Sequence, residues 1–210
     1  LKCRDRTGFN PAFYNADSVS AQQEKINQNP HFVYLAYFAP GVIKVGISQE
    51  ERGIRRLLEQ GARLALKLET FSSALIARQY EAKIARLDGV VETMPVHKKL
   101  ELIKQPFERA DGEKKLQQKL LEIEQKIGVS FLRSELIPCE DYFQTNGIDL
   151  TRAVPMKDQN QLAGRVRSII GPILITDYDG QLLAYNVKKF IGYQARKIDG
   201  AIDIEIPSTQ

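Results

Sequence analysis

The chain has little of the chemistry that staples small folds together. Its 210 residues include two cysteines, Cys3 and Cys139, and two histidines, His31 and His97. Cysteines so far apart form neither a disulfide framework nor a zinc site, so a reducing, cytoplasmic setting is expected. No apolar run reaches the roughly 18 residues of a transmembrane helix, and no membrane partner is expected. The opening Leu1-Lys2-Cys3-Arg4-Asp5-Arg6 lacks the apolar stretch of a secretory signal. A start at Leu1 rather than Met leads us to expect a further N-terminal piece. Internal repeats and low-complexity tracts are absent too. What is present is ordinary for a globular chain, 43% apolar and 27% charged, which excludes wholesale disorder.

Charge is informative through its placement. The net charge is only +4, but residues 121–150 hold two basic and six acidic side chains, an acidic waist between basic lobes. Such a pattern permits nucleic-acid binding without requiring it.

Periodicity divides the chain. Residues 1–30 are polar and read as an irregular arm. Phe32-Val33-Tyr34-Leu35-Ala36-Tyr37-Phe38 and Val42-Ile43-Lys44-Val45-Gly46-Ile47, joined by Ala39-Pro40-Gly41, predict a hairpin covered on both faces. A helix over about 50–61 follows, with Gly61 as its terminator. A second helix starts at the cap Ser72-Ser73 and runs to Gly89, with Ile76, Tyr80, Ile84 and Leu87 facing the sheet. Residues 97–127 read as two helices broken at Pro106, the second a solvated spacer from Gly112 to Ile127. Beyond Gly128, short strands are expected at 129–132, 162–170, 173–176, 182–187 and 201–206, with a turn at Asp179-Gly180. The units are then an arm (1–30), a first domain (31–107), a helical spacer (108–128) and a small β-barrel (129–210).

Within the first domain, four side chains contradict their settings. Lys44 interrupts an apolar strand, so it must snorkel, meet an anion, pair with a carboxylate, or guard a sheet edge. Tyr34 lies on the facing arm, either as a core aromatic or as a functional phenol. A two-residue Pro-Gly loop suits a hairpin poorly, whereas a three-residue loop pairs Tyr34 with Gly46 and Ala36 with Lys44 on one face. Arg52, Arg56 and Arg63 crowd one side, and Arg56 has only Glu59 at i+3, an arrangement that a phosphate would answer. Glu81 falls on a narrow stripe with Ala74, Ala77 and Ala85 and must find a metal, an arginine or a backbone donor. Arg78 at i−3 is the simple structural partner.

Phe32-Val33-Tyr34, Lys44-Val45-Gly46-Ile47-Ser48, Arg56, Gln60-Gly61-Ala62 and Glu81, in this order, resemble the GIY-YIG nuclease superfamily. The stretch is similar to a bacterial uncharacterised-domain subgroup with KVG as its second motif. The resemblance covers about residues 31–90. Two positions depart from the pattern: Lys44 replaces the second motif's tyrosine, and Phe32 replaces the first motif's glycine. The resemblance implies an α+β fold with a small sheet, flanking helices and a site of Tyr34, Lys44, Arg56 and Glu81. It implies that Glu81 holds Mg²⁺ or Mn²⁺ for phosphodiester hydrolysis, that Arg56 clamps the phosphate, and that Tyr34, aided by Lys44, takes the proton of the attacking water. His31 is a spare base at an exposed strand start, and His97, Lys98 and Lys99 read as surface.

The partner is expected to be DNA or RNA. The alternatives are a non-catalytic nucleic-acid-binding module or a scaffold whose barrel recruits a protein. Arg165, Arg167, Lys188, Lys189, Arg196 and Lys197 would supply a second basic surface. Tyr178, Tyr185, Phe190 and Tyr193 would serve there for base stacking or as core.

Overall fold

The computed structural model describes residues 21–156, 160–194, 196, 198 and 206–207. Helix α1 (Ala21–Gln28) precedes β1 (His31–Ala39), β2 (Val42–Gln49), a 3-10 turn (Glu50–Arg52), α2 (Gly53–Gln60), β3 (Leu64–Phe71) and α3 (Ala74–Ile84). Then come β4 (Val90–Val91), α4 (Val96–Leu102), α5 (Arg109–Ile127), β5 (Glu135–Ile137), β6 (Val154–Met156), β7 (Arg165–Ile170), β8 (Ile173–Tyr178) and β9 (Gln181–Asn186). The α+β class is as expected. The first sheet has the order β4-β2-β1-β3-β5 and the second β6-β9-β8-β7. Among the described residues the second sheet is open, and its strands do not close into a barrel.

Every residue of β1 is buried, because helices and the second sheet cover the first sheet on both faces. On one face Val33, Leu35, Tyr37, Ile43 and Val45 meet Ala77 and Ile84 of α3 and Leu116, Leu120 and Ile123 of α5. On the other, Phe32, Tyr34, Ala36 and Phe38 meet Leu57 of α2, Leu100 and Leu102 of α4, and Ile170, Ile173, Ile175 and Ala184 of the second sheet. The two sheets therefore share a core.

The hairpin register decides which side chains reach that shared face. Pro40 and Gly41 alone make the turn, and Ala39 faces Val42. Phe38 is bulged out of the pairing, so that Tyr37 faces Ile43, Ala36 faces Lys44 and Tyr34 faces Gly46. The two-residue turn and the register of a longer loop thus coexist, reconciled by one extra residue.

Several local signals act as expected. Ser73 caps α3 by accepting a bond from the Ile76 N–H at 3.4 Å. Gly61 ends α2 in the left-handed region, at φ 70°. Gly61 also lies against Gly171: a Cβ added at Gly171 would come within 2.5 Å of the Gly61 nitrogen. The end of α2 and the β7–β8 turn meet there backbone to backbone.

Other expectations are corrected. Residues 21–28 are helical rather than irregular. Strand β3 fills a stretch with no element expected, although Leu64, Leu66 and Leu68 alternate with Ala65, Lys67 and Glu69. Ile76 is 37% exposed, and the face of α3 turned inward is Ala74, Ala77, Glu81 and Ile84. Helix α5 is no solvated spacer, since Gly112, Leu116, Leu120 and Ile123 are buried. Residues 129–132 form no strand. Most of the strand expected at 201–206 and the whole of residues 1–20 lie outside the described residues. Among the described residues, no helix is long and apolar enough to cross a membrane.

Replacing Leu116, fully buried in α5, with Ala should cost about 2–5 kcal/mol of stability. Leu121→Ala on the same helix, 64% exposed, should stay within about 0.5 kcal/mol. Denaturant melts of the two variants compare a packed helix with a spacer directly. Equal small losses would return α5 to the spacer role.

Candidate anion-binding site

The even-numbered face of the hairpin carries Tyr34, Ala36 and Phe38 on β1 and Lys44 and Gly46 on β2. Gly46 is required by the Tyr34 ring, because a Cβ there would lie 2.5 Å from both the ring Cζ and the phenol oxygen. Ala36, opposite Lys44, leaves the space into which the lysine folds. The Lys44 ammonium donates to the Val45 carbonyl at 2.8 Å and stands 5.8 Å from the centre of the Tyr34 ring. Lys44 is only 8% exposed. Burial, reinforced by nearby Arg56 and opposed by Glu81, holds its pKa down to about 8.

Tyr34 is fully buried. Burial raises its pKa, and the Arg56 charge only partly opposes this. Desolvation thus works against the lowered phenol that the base role requires, and the neighbouring cations offset it only in part. Arg56 lies close to the phenol, yet no well-aligned hydrogen bond joins them. The Tyr34 hydroxyl and the Arg56 Nε are both buried with no hydrogen-bond partner among the described residues. The guanidinium is nevertheless near enough to act on the phenol as a hydrogen-bond donor, so the two groups are each other's nearest polar partners.

Helix α2 positions Arg56 on this face with little local competition. Glu59 is 3.7 Å from Arg56 but 2.5 Å from Arg52, which takes most of its charge. Arg63 does not join this cluster. It donates to the carbonyls of Ile103 and Gln105 at 2.7 and 2.8 Å, holding the end of α4.

Glu81 is 4% exposed and hydrogen-bonded by Arg78, its i−3 neighbour. Arg78 also reaches Glu92 at 4.0 Å. Burial raises the Glu81 pKa, while Arg78 and then Lys44 counter the shift. Electrostatics couple the four expected residues: Arg56 and Glu81 both act on Tyr34 and on Lys44. The donor set does not suit Mg²⁺ or Mn²⁺. The carboxylate is already bonded to the Arg78 guanidinium, and Lys44 adds further positive charge. No group of three or more His, Cys, Asp or Glu side chains able to hold a metal occurs among the described residues.

A residue expected on the surface belongs to this site. Lys99 is 3% exposed and donates to the Gln60 carbonyl, at the end of α2, at 2.5 Å. Its ammonium lies 5.2 Å from the centre of the Phe38 ring. Burial lowers its pKa to about 7, and the charges that act on it, Lys188, Lys44 and Arg56, push the same way. Lys188, exposed after β9, is one of the charges felt at Lys99. Sequence reasoning missed Lys99 because Lys98 and Lys99 look alike. The one signal available was Leu100 and Leu102 beside it, which set the buried face of α4.

The remaining candidates fall elsewhere. His31 is buried rather than exposed, and its Nδ1 lies 2.8 Å from the Asn29 carbonyl, the contact of an Nδ1–H donor. Burial lowers its pKa. His97 is exposed as expected. Tyr185 is core: its hydroxyl accepts from the Ala163 N–H at 3.2 Å. Tyr193 is 77% exposed. Arg167 is paired with Asp177 at 3.2 Å, and Lys197 lies outside the described residues.

Fold and site define an α+β protein with two sheets and a cation-rich, partly buried site between them. The chain belongs to the family described as protein of unknown function (DUF2797), which matches residues 14–195. No curated protein and no solved structure matches it.

Two outcomes follow from this geometry. Gly46→Ala should lose about 1–3 kcal/mol in denaturant melts through collision with the Tyr34 ring; full stability would show that the ring can move aside. The second concerns pH. Lys99 stands at about 7 in the folded chain and regains the ordinary lysine value of 10.5 on unfolding. Between these values the unfolded chain binds more protons, so stability rises with pH, by at most about 1.4 kcal/mol per pH unit for one lysine. Lys99→Met should flatten the part of that rise due to Lys99, measured by melts from neutral to alkaline pH. An unchanged slope would mean that Lys99 titrates normally.

Proposed function

We propose that the chain binds nucleic acid through the phosphate backbone, with Arg56, Lys44 and Tyr34 of a GIY-YIG-like domain as its contacts. The observation that carries this reading is the Tyr34 hydroxyl and the Arg56 Nε, both buried and without a well-aligned partner among the described residues, beside a buried ammonium. A phosphate oxygen satisfies all three, accepting from the phenol, the guanidinium and Lys44. Every nucleotide carries such a group, so recognition at this point is independent of sequence.

The surroundings of Glu81 favour binding over metal-dependent cleavage. Two cations, Arg78 and Lys44, already act on that carboxylate, and the buried phenol resists losing its proton. The second reading is an endonuclease using Mg²⁺ or Mn²⁺. The specific support for it is the electrostatic coupling of Tyr34, Lys44, Arg56 and Glu81, the residues the resemblance names.

One experiment separates the two. Fluorescence anisotropy with single-stranded DNA and RNA should show affinity that falls steeply as salt increases. Arg56→Ala should weaken binding and reduce the slope of log K against log salt by about 1. Plasmid and structured RNA incubated with Mg²⁺ or Mn²⁺ should stay intact. Cleavage that disappears in Glu81→Ala would replace the binding module with the nuclease, and binding insensitive to salt and to Arg56→Ala would end both.

A further inference from the structure

The chain after β9 differs in charge from what precedes it. From Gln181 to Ile198 it carries four basic side chains, Lys188, Lys189, Arg196 and Lys197, and no acidic one. Of the tyrosines expected at this surface, Tyr185 is buried and Tyr178 packs against the apolar cluster of the second sheet, whereas Tyr193 is 77% exposed. Ile191 is 76% exposed, and Lys188 and Lys189 are exposed too. Large apolar side chains in water are ordinary when they stand singly. Here a ring and an aliphatic group stand two residues apart, with two ammonium groups just before them.

Backbone hydrogen bonds hold this patch together. The Asn186 side chain accepts from the Lys188 N–H at 3.1 Å, at the start of the 3-10 turn Val187–Phe190. The Ile191 N–H then donates to the Lys188 carbonyl at 3.4 Å, and the Tyr193 N–H donates to the Phe190 carbonyl at 3.1 Å. Two successive turns thus gather Lys188, Ile191 and Tyr193 into one knuckle, with Gly192 supplying a left-handed φ of 86° in the second. The knuckle is anchored where it begins. Val187 packs against the cluster of Val154, Leu183 and Tyr185, and its N–H donates to the Pro172 carbonyl at 3.0 Å. Pro172 follows Gly171, which abuts Gly61 at the end of α2. The knuckle therefore leaves the fold near the end of the helix that carries Arg56.

Ammonium groups around an exposed ring fit a strand whose bases are unpaired. A phosphate answers each ammonium, and an unpaired base offers its face to the ring whatever its identity. In a duplex the faces of the bases are already stacked on one another. An anionic membrane is the other surface that suits a basic and partly apolar patch. Lying among headgroups takes an amphipathic helix, however, and the helical part here is four residues long. We propose that the turn after β9 is a platform for single-stranded nucleic acid, with Tyr193 stacking on an unpaired base and Lys188 and Lys189 meeting the flanking phosphates. This rests on the nucleic-acid reading above and narrows it to single strands.

The test compares one oligonucleotide with the duplex of the same sequence by fluorescence anisotropy. The single strand should bind at least about tenfold more tightly, an advantage worth about 1.4 kcal/mol. Tyr193→Ala should remove that advantage by weakening the strand about tenfold, and Tyr193→Phe, which keeps the ring, should retain it. Lys188→Gln and Lys189→Gln should each lower the strand's slope of log K against log salt by about 0.7. All three side chains are exposed, so these variants keep the fold. Equal binding of strand and duplex, or strand binding indifferent to Tyr193→Ala, overturns this inference and leaves phosphate binding through Arg56 standing. No salt-dependent binding of either form overturns both. Phosphatidylserine vesicles that bind the unaltered chain but not Tyr193→Ala, while that variant binds the strand as before, make the patch a membrane contact and overturn the single-strand assignment.

Discussion

One extra residue in β1 sets the geometry on which everything else depends. A side chain in a strand has only two directions available, and each added residue exchanges them. Without the bulge at Phe38, the Pro40-Gly41 turn would pair residues whose numbers differ in parity, and Lys44 would lie on the face opposite Tyr34. It would then lie on the face of Val33 and Leu35, among the apolar side chains contributed by α3 and α5. With the bulge, Lys44 shares a face with Tyr34, Ala36 and Gly46. The small residues make room, and the lysine reaches a place where other polar groups stand.

That place is costly to maintain. Burial works against the charged forms of Lys44, Lys99 and Glu81, and the local cations reinforce the penalty for both lysines. The fold tolerates the strain because the site lies within an otherwise well-packed layer. Leu57, Leu100 and Leu102 on one side and Ile173 and Ile175 on the other fill the space around it. Stability is supplied by the apolar layer, and the polar cluster draws on it. Such an arrangement is expected where a ligand, rather than the protein itself, completes the set of interactions.

Much of this was legible from residue order. The hairpin, the cap at Ser73, the stop at Gly61 and the partner of Glu81 all follow from local rules, since each involves residues within a few positions of one another. The pairing of Tyr34 with Gly46 was readable as one of two registers, but the bulge that selects it was not. Strand β3 is legible in its alternating leucines, although it lies between two helical segments. Lys99 lay beyond local reading. Its burial depends on α4 packing over the end of α2, so its neighbour Lys98, with the same side chain, remains in water. Helix α5 misled for a similar reason, because its abundant Lys, Glu and Gln masked a narrow stripe of Gly112, Leu116, Leu120 and Ile123.

The seam between Gly61 and Gly171 has a mechanical meaning. With no side chain between the two backbones, no rotamer can absorb a small displacement, and the contact acts as a fulcrum rather than a cushion. Gln60, whose carbonyl holds Lys99, is the residue immediately before that pivot. The acceptor that holds the Lys99 ammonium therefore sits one peptide bond from the place where the β7–β8 turn abuts the end of α2, so neither can be repacked independently of the other.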